Sequence, residues 1–256
     1  MTHRRLFVAL ALVASLLLAG CASGGPSAET TDIFQAAPWA SGEELTYQVL
    51  SSDLEVMGTG VLSSEVVESQ IALVQRYVEG DTPAGLAPVM DEITVFVNPS
   101  TLRPERGTRI AHGRADNGTP TYDRWEWQYG ANEDGEPTAT FQHFDAEDDD
   151  DPSERTLRLR AHYYDNESSL WLWRSVNLIE EFEAFYVSVN AMERNQQTVS
   201  LRVPQTEMIT VPAGEFEAYR LLFRNGRAVR TAWIEAAEPH RVLRWDNGSS
   251  ILELLR

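Results

Sequence analysis

Period-two alternation of apolar and polar positions runs through most of the chain from residue 43 onward. Leu45, Tyr47 and Val49 alternate with Glu44, Thr46 and Gln48, which predicts a strand with one face buried and one face in water. Gly58-Thr59-Gly60 marks a place where a strand bends or bulges. Ile71, Leu73 and Tyr77 share one face over 70–78; Ile93, Val95 and Val97 form another strand, which Asn98-Pro99-Ser100 stops. Over 121–129, Trp125, Trp127 and Tyr129 oppose Arg124, Glu126 and Gln128, and 138–144 reads as a shorter strand. Over 155–164, Leu157, Leu159, Ala161 and Tyr163 oppose Arg158, Arg160 and His162, which places His162 in water. Strands resume over Phe185 to Val189, Val199 to Val203 and Met208 to Val211.

The C-terminal pattern is the clearest. A strand over 215–223 meets Arg224-Asn225-Gly226-Arg227, a hairpin turn because Asn-Gly accepts positive φ. Val229, Thr231 and Trp233 return, 241–245 follows, Asp246-Asn247-Gly248 turns again, and 251–255 closes a four-stranded antiparallel meander. The apolar spacing changes once, over 168–182. Leu170, Trp173, Val176 and Ile179 follow three- and four-residue steps behind the capping candidates Asp165, Asn166 and Ser168, which predicts a helix lying on the sheet. The fold expected is mainly β: a strongly curved antiparallel sheet, or a barrel-like meander, with one short helix.

The N-terminus has a different character. Arg4 and Arg5 precede an apolar run over 6–18 that is short for a membrane span, the layout of a secretory signal. It ends in Leu18-Ala19-Gly20-Cys21, which resembles the lipobox of bacterial lipoproteins. The resemblance implies cleavage after Gly20, a diacylglycerol thioether on Cys21 and acylation of the new amine. The expected organisation is a signal peptide at 1–20, a lipidated N-terminus and flexible tether at 21–39, and one antiparallel β-domain at 40–256. The tether is rich in Ser, Gly, Ala, Thr and Pro. The expected location is extracytoplasmic, with acyl chains anchoring the protein to the cell membrane or outer membrane; two or three chains hold a protein stably.

Charge and cysteine usage narrow the chemistry. The formal net charge is −18, and the signal removes two arginines and no acid, so the mature chain repels nucleic-acid phosphates and no nucleic-acid partner is expected. Cys21 is the only cysteine, so its acylation leaves no thiol for disulfides, catalysis or metal binding. The run from Asp145 to Asp151, closed by Pro152, reads as a solvated acidic loop over 145–152. Asp148, Asp149, Asp150 and Asp151 are its weak calcium option, without the alternate-ligand spacing of an EF-hand.

Several short segments together resemble a family of bacterial envelope proteins carrying the domain of unknown function 3108. They are Gly42-Glu43-Glu44-Leu45-Thr46-Tyr47, Gly58-Thr59-Gly60, Ser169-Leu170-Trp171, and Val211-Pro212-Ala213-Gly214-Glu215-Phe216 with Ala218-Tyr219-Arg220; Trp233 and Arg244 fit the strands that follow. The resemblance covers about residues 40–256 and implies a curved antiparallel sheet with no established activity. The acidic run departs from it.

No catalytic motif stands out. Gly-x-Ser-x-Gly does not occur, and His112, His143, His162 and His240 lie far apart in sequence. The expectation is therefore a non-catalytic binding module of the envelope, without a cofactor or metal, that takes an apolar or amphiphilic ligand such as a lipid. Trp125, Trp127, Trp171, Trp173 and Trp233 are the candidate ligand-facing aromatics, against the plainer reading that they fill the core. Trp171 and Trp173, two apart on a helix, would split between faces and leave one exposed. The alternative is a scaffold or assembly protein that binds an envelope protein through its sheet, with a filled interior and a flat apolar patch; a hydrolase is a third reading.

Overall fold

A computed structural model describes residues 29–80, 89–115, 118–146, 151–225 and 228–256. Cys21, the turn residues Gly226 and Arg227, and Asp148, Asp149 and Asp150 lie outside the described residues. Fifteen strands make one sheet. The first half holds β1 (Glu44–Ser51), β2 (Val56–Val67), β3 (Gln70–Glu79), β4 (Met90–Val97), β5 (Pro104–Arg114), β6 (Pro120–Ala131), β7 (Pro137–Phe144) and β8 (Ser153–Arg158). The second holds β9 (Tyr163–Asp165), β10 (Phe182–Asn190), β11 (Asn195–Val211), β12 (Gly214–Asn225), β13 (Ala228–Glu235), β14 (Val242–Asp246) and β15 (Ser250–Leu254).

Neighbours in sequence pair antiparallel, except that β9 runs parallel to β10 and the first strand meets the last in the middle of the sheet. The edges are therefore β8 and β9, which five-residue chain reach keeps close. No ladder joins them. The gap is bridged by side chains instead: Gln196 accepts from the Arg160 N–H (2.9 Å) and donates to the Arg158 carbonyl (2.8 Å), and Arg194 donates to Ser153 Oγ (2.5 Å). The result is a barrel-like sheet with an open seam, as the period-two pattern predicts.

Two strands escape the simple pattern because their inward positions are small or polar. β2 turns Gly58, Gly60, Leu62 and Ser64 inward, and β5 turns Gly107 and Arg109 inward. The glycines are spacers. A Cβ on Gly60 would stand 3.0 Å from the Tyr77 ring, and one on Gly107 would stand 2.4 Å from the Trp127 indole. Gly60 thus makes room for a ring across the ladder and Gly58 for the Val78 carbonyl, and the bulge that the glycines suggested lies beside them: Val49 pairs with Gly58 and Leu50 with Val56, which leaves Met57 of β2 as the extra residue.

The helix is shorter than its apolar spacing predicts. One turn, α1 (Ser169–Leu172), passes into a 3-10 turn over Trp173–Ser175, and Val176 is already extended (φ −73°, ψ 165°). Trp171 and Trp173 are both buried, which corrects the expectation that one is exposed. The cause is position: α1 sits inside the curl of the sheet, where all its faces meet protein. Likewise 155–164 is not one strand. The chain stops pairing after Arg158, crosses to the other edge, and takes a left-handed turn at His162 (φ 58°). His162 is half-buried, with Nδ1 3.2 Å from Asp32, and so does not lie free on a polar face.

The expected tether is docked over its described part. Ile33, Phe34 and Trp39 belong to the core; Phe34 lies edge-on to Tyr164 (4.6 Å) and Tyr186 (5.2 Å), and Trp39 to Trp171 (5.3 Å). The Thr31 N–H bonds to the Phe185 carbonyl (2.8 Å), and Asp32 pairs with Arg103. Burial alone would raise the Asp32 pKa, but Arg103, His162 and Tyr164 together outweigh it and hold the carboxyl below its ordinary range. Among the described residues no helix is long and apolar enough to cross a membrane.

Candidate functional site

α1 divides the interior. Trp171 and Arg174 point into a packed end, where Arg174 is fully buried. It donates to the Pro239 carbonyl (2.9 Å), the His240 carbonyl (3.0 Å) and Glu43 Oε1 (2.7 Å). Leu170 and Trp173, on the other side of the same turn, floor a cavity of about 450 Å³. That volume lies within the ordinary range of small-molecule sites. The helix expected to lie on the sheet is thus a floor across the inside of its curl.

Strand alternation sorts the cavity into two walls. On one side β1, β10, β11, β12, β14 and β15 turn in Val49, Tyr186, Val199, Phe223, Trp245 and Leu252. Trp173 stacks on Phe223 at 3.9 Å between centroids and tilts against Trp245 at 4.5 Å, so the floor and this wall form one aromatic surface. On the other side β3, β4 and β5 turn in Gln75, Tyr77, Asp91 and Arg109, and the segment leading into α1 adds Asn166 and Glu167. Arg109 and Asp91 make a two-point pair (Nε–Oδ1 2.8 Å, Nη2–Oδ2 2.6 Å). Burial works against the charge on Arg109, but the bonded Asp91 raises its pKa above the ordinary value. Tyr77 donates to Gln75 Oε1 (2.8 Å), Gln75 donates to the Glu167 carbonyl, and Asn166 donates to Glu167 Oε1 (3.1 Å). Asn225, Arg230, Asn247 and Ser250 ring the mouth.

Behind the polar wall lies Asp165, 1% exposed. Its Oδ2 accepts from Trp127 Nε1 (2.6 Å) and from the Tyr129 hydroxyl (2.7 Å), and its Oδ1 from the Glu167 N–H (2.7 Å). Burial, and then the charge of Glu167, push its pKa up to about 7 against the pull of those donors. Burial also raises the Glu167 pKa. Both carboxyls therefore sit where negative charge is poorly compensated.

Of the five candidate tryptophans, Trp173 alone lines the cavity. Trp127 and Trp171 are structural, the first bound to Asp165 and the second beneath the floor. Trp125 shares the inward face of β6 but stacks on His143 (4.6 Å) outside the cavity lining. Trp233 is on the outer face: its neighbours Ala232 and Ile234 are the buried pair, and its indole donates to Glu207 (2.7 Å). Trp245 and Phe223 take the role expected of it. Asp91, Arg109 and Glu167 carried no local signal, because only the β4–β5 register and the crossing segment bring them together.

The histidines stay apart. His143 Nε2 meets Asp123 (2.9 Å), His162 meets Asp32, and His240 Nδ1 meets the Glu235 carbonyl (3.0 Å). Ser153, opposite His143 across the β7–β8 pair, is bonded to Arg194. Asp151 is exposed, and among the described residues no group of three or more His, Cys, Asp or Glu could hold a metal ion. A second hollow of about 610 Å³ lies over the outer face of β5 to β8, where Thr108, Gln128, Thr140 and Gln142 make a polar groove.

No curated protein matches the sequence. Among solved structures, a β-barrel-like protein of the domain of unknown function DUF1849 from Brucella abortus superposes with a TM-score of 0.54 at 8% identity, over 83% of this chain and 95% of that one. At that identity the likeness is one of fold. A protein with a YmcC-like fold from Bacteroides fragilis aligns over 88% of this chain and 99% of its own at 11% identity, but with a TM-score of 0.31 it supports no argument. In sequence, the family described as proteins of unknown function, DUF3108, matches residues 44–251, through the strands that build the cavity, and the chain belongs to that family.

Proposed function

We propose that this protein is a non-catalytic binding module of the cell envelope, anchored through acyl chains on Cys21, and that its cavity takes an amphiphilic small molecule. One observation carries the reading: below its polar mouth the cavity has an aromatic and aliphatic wall on one side and, on the other, a wall of charged and hydrogen-bonding groups in which Ile93 is the one aliphatic. A pocket for a purely apolar ligand has no use for a half-buried Asp91–Arg109 pair, and a pocket for a sugar or ion has no use for Trp173, Phe223 and Trp245 in one surface. An apolar chain laid against that surface gains roughly 0.8 kcal/mol per buried methylene.

The residues from 29 onward hold all fifteen strands and the described core, so a chain beginning at residue 22 is the material for the test. Titration with straight-chain amphiphiles below their micelle concentration should change the fluorescence of Trp173 and Trp245, and Trp245→Leu should weaken the binding. Native mass spectrometry of protein taken from the envelope fraction should show a bound species. If neither titration nor mass spectrometry gives a ligand, the reading fails. The anchor is tested apart from the cavity: Cys21→Ser should move the full chain out of the membrane fraction, and retention there would refute it.

A second reading rests on Leu54, Val56 and Met57, which are 60, 68 and 51% exposed at the β1–β2 tip. Apolar side chains gathered at one tip suit contact with an envelope protein. Crosslinking in cells should then lose its product when all three become serine.

A further inference from the structure

The cavity described above also carries a statement about which head group it accepts, and the statement rests on the amphiphile reading. We infer that the cavity selects amphiphiles whose head group is a protonated amine, held by the Glu167 carboxylate on the polar wall.

Among the described residues four charged side chains line the cavity: Asp91, Arg109, Glu167 and Arg230. Asp91 and Arg109 satisfy each other at two points, so neither has its charge free for a ligand. Arg230 is exposed at the mouth, on β13 opposite Phe223, and belongs to the apolar side. Glu167 remains. Its bonded side-chain partner is the Asn166 amide, a neutral donor; among the described residues no ion pair reaches it, and Arg109, already bonded to Asp91, acts on it only through space and does not offset its burial. Directly behind it Asp165 adds a second carboxyl, bonded to Trp127, Tyr129 and the Glu167 backbone, with no cation among them. The raised pKa values of both acids agree with a site short of positive charge. The neutral groups that complete the wall, Tyr77, Gln75 and Asn166, offer hydrogen bonds to the rest of a polar head. An ammonium placed there would make charge-assisted hydrogen bonds inside a partly dry site, where such bonds are strongest. A carboxylate or sulfate head would instead meet Glu167 as a like charge.

An amine head has two sources, a free long-chain amine and an ethanolamine-headed lipid, and the shared chemistry is what the wall reads. The test uses the chain beginning at residue 22 and four probes of matched chain length: an n-alkylamine, the fatty acid, the primary alcohol, and a lysolipid with an ethanolamine head. The alkylamine or the lysolipid should bind about tenfold or more tighter than the fatty acid, and whichever of the two binds better identifies the source. Glu167→Gln should remove about ten- to a hundredfold of the amine affinity, the range expected for a hydrogen bond to a charged group. It should leave the alcohol unchanged, which also shows that the variant is folded. Trp245→Leu should weaken all probes alike. If no probe binds, the amphiphile reading itself fails. If probes bind but the fatty acid equals or exceeds both amines, or Glu167→Gln leaves the amine-to-alcohol ratio unchanged, the head-group assignment is overturned while the cavity stands.

Discussion

Asp165 makes the stability of this protein depend on pH in an unusual direction. Its carboxyl is almost wholly buried, and burial plus the neighbouring Glu167 push its folded-state pKa up to about 7. In the unfolded chain it returns to about 3.9. The folded state therefore keeps the Asp165 proton to higher pH than the unfolded chain does. Its contribution to stability is fully present below about pH 4 and is lost as pH rises through about 7. Between pH 8 and pH 5 these two values give a gain on acidification of about 3 kcal/mol, an order-of-magnitude figure for so buried a group. Most carboxylates that are paired in the native state, Asp32 with Arg103 among them, act in the opposite sense.

The comparison that isolates the effect is wild type against Asp165→Asn, by urea unfolding at half-unit steps from about pH 5 to pH 8. The amide cannot accept as the carboxylate does at both oxygens, so the variant carries a fixed penalty. That penalty does not vary with pH. The pH-dependent part of the difference is what matters: wild type should gain on the variant by about 2–3 kcal/mol as pH falls from 8 to 5. A difference that stays flat would mean that Asp165 ionises normally despite its burial. One that shrinks on acidification would reverse the sign and refute the environment assigned to it.

Two further predictions concern packing. Gly107→Ala puts a methyl group 2.4 Å from the Trp127 indole and should pull that ring off Asp165; a loss of about 2–4 kcal/mol is expected. Gly130→Ala, on the next strand with nothing within 4 Å, should change stability by less than about 0.5 kcal/mol, and equal effects from the two would contradict the spacer role. Glu43→Ala leaves Arg174 buried without its carboxylate and should cost about 3–5 kcal/mol in urea unfolding. Adding Arg174→Met should recover most of that loss; no recovery would mean that Glu43 acts through something other than this pair.

The parts of this fold that can be read from sequence are those whose inward positions are all apolar. β1 presents Leu45, Tyr47 and Val49, β4 presents Ile93, Val95 and Val97, and β15 presents Leu252 and Leu254 at every second place, and they appear where the alternation puts them. β2 and β5 are hidden for a physical reason: the bulk that fills their share of the interior comes from Tyr77 and Trp127 on neighbouring strands, so their own inward residues are glycine, serine and arginine. The helix ends early because Val176 and Ile179 repeat an apolar spacing that suits either state, and the backbone is already extended at the buried Val176. The polar wall had no local signature at all. Asp91 and Arg109 are eighteen residues apart, and they meet only because β4 and β5 pair with Ile93 opposite Arg109. Trp233 shows the converse error: the Val229-Thr231-Trp233 alternation marks the outer face of β13, because the inward pair is Ala232 and Ile234.

The open seam between β8 and β9 has a mechanical meaning. In a closed barrel, strand number and shear fix the radius, and no ligand can widen it without breaking a ladder. Here the circumference ends in a few side-chain bonds from Gln196, Arg160 and Arg194, each worth about 1 kcal/mol. Asn166 and Glu167, on the cavity wall, follow the edge strand β9 directly. The molecule is in effect a split ring, whose free edges are held by those surface contacts and by the buried bonds of Asp165 on β9 to Trp127 and Tyr129 on β6, so that widening the bore would cost those bonds while leaving all fourteen strand pairings intact.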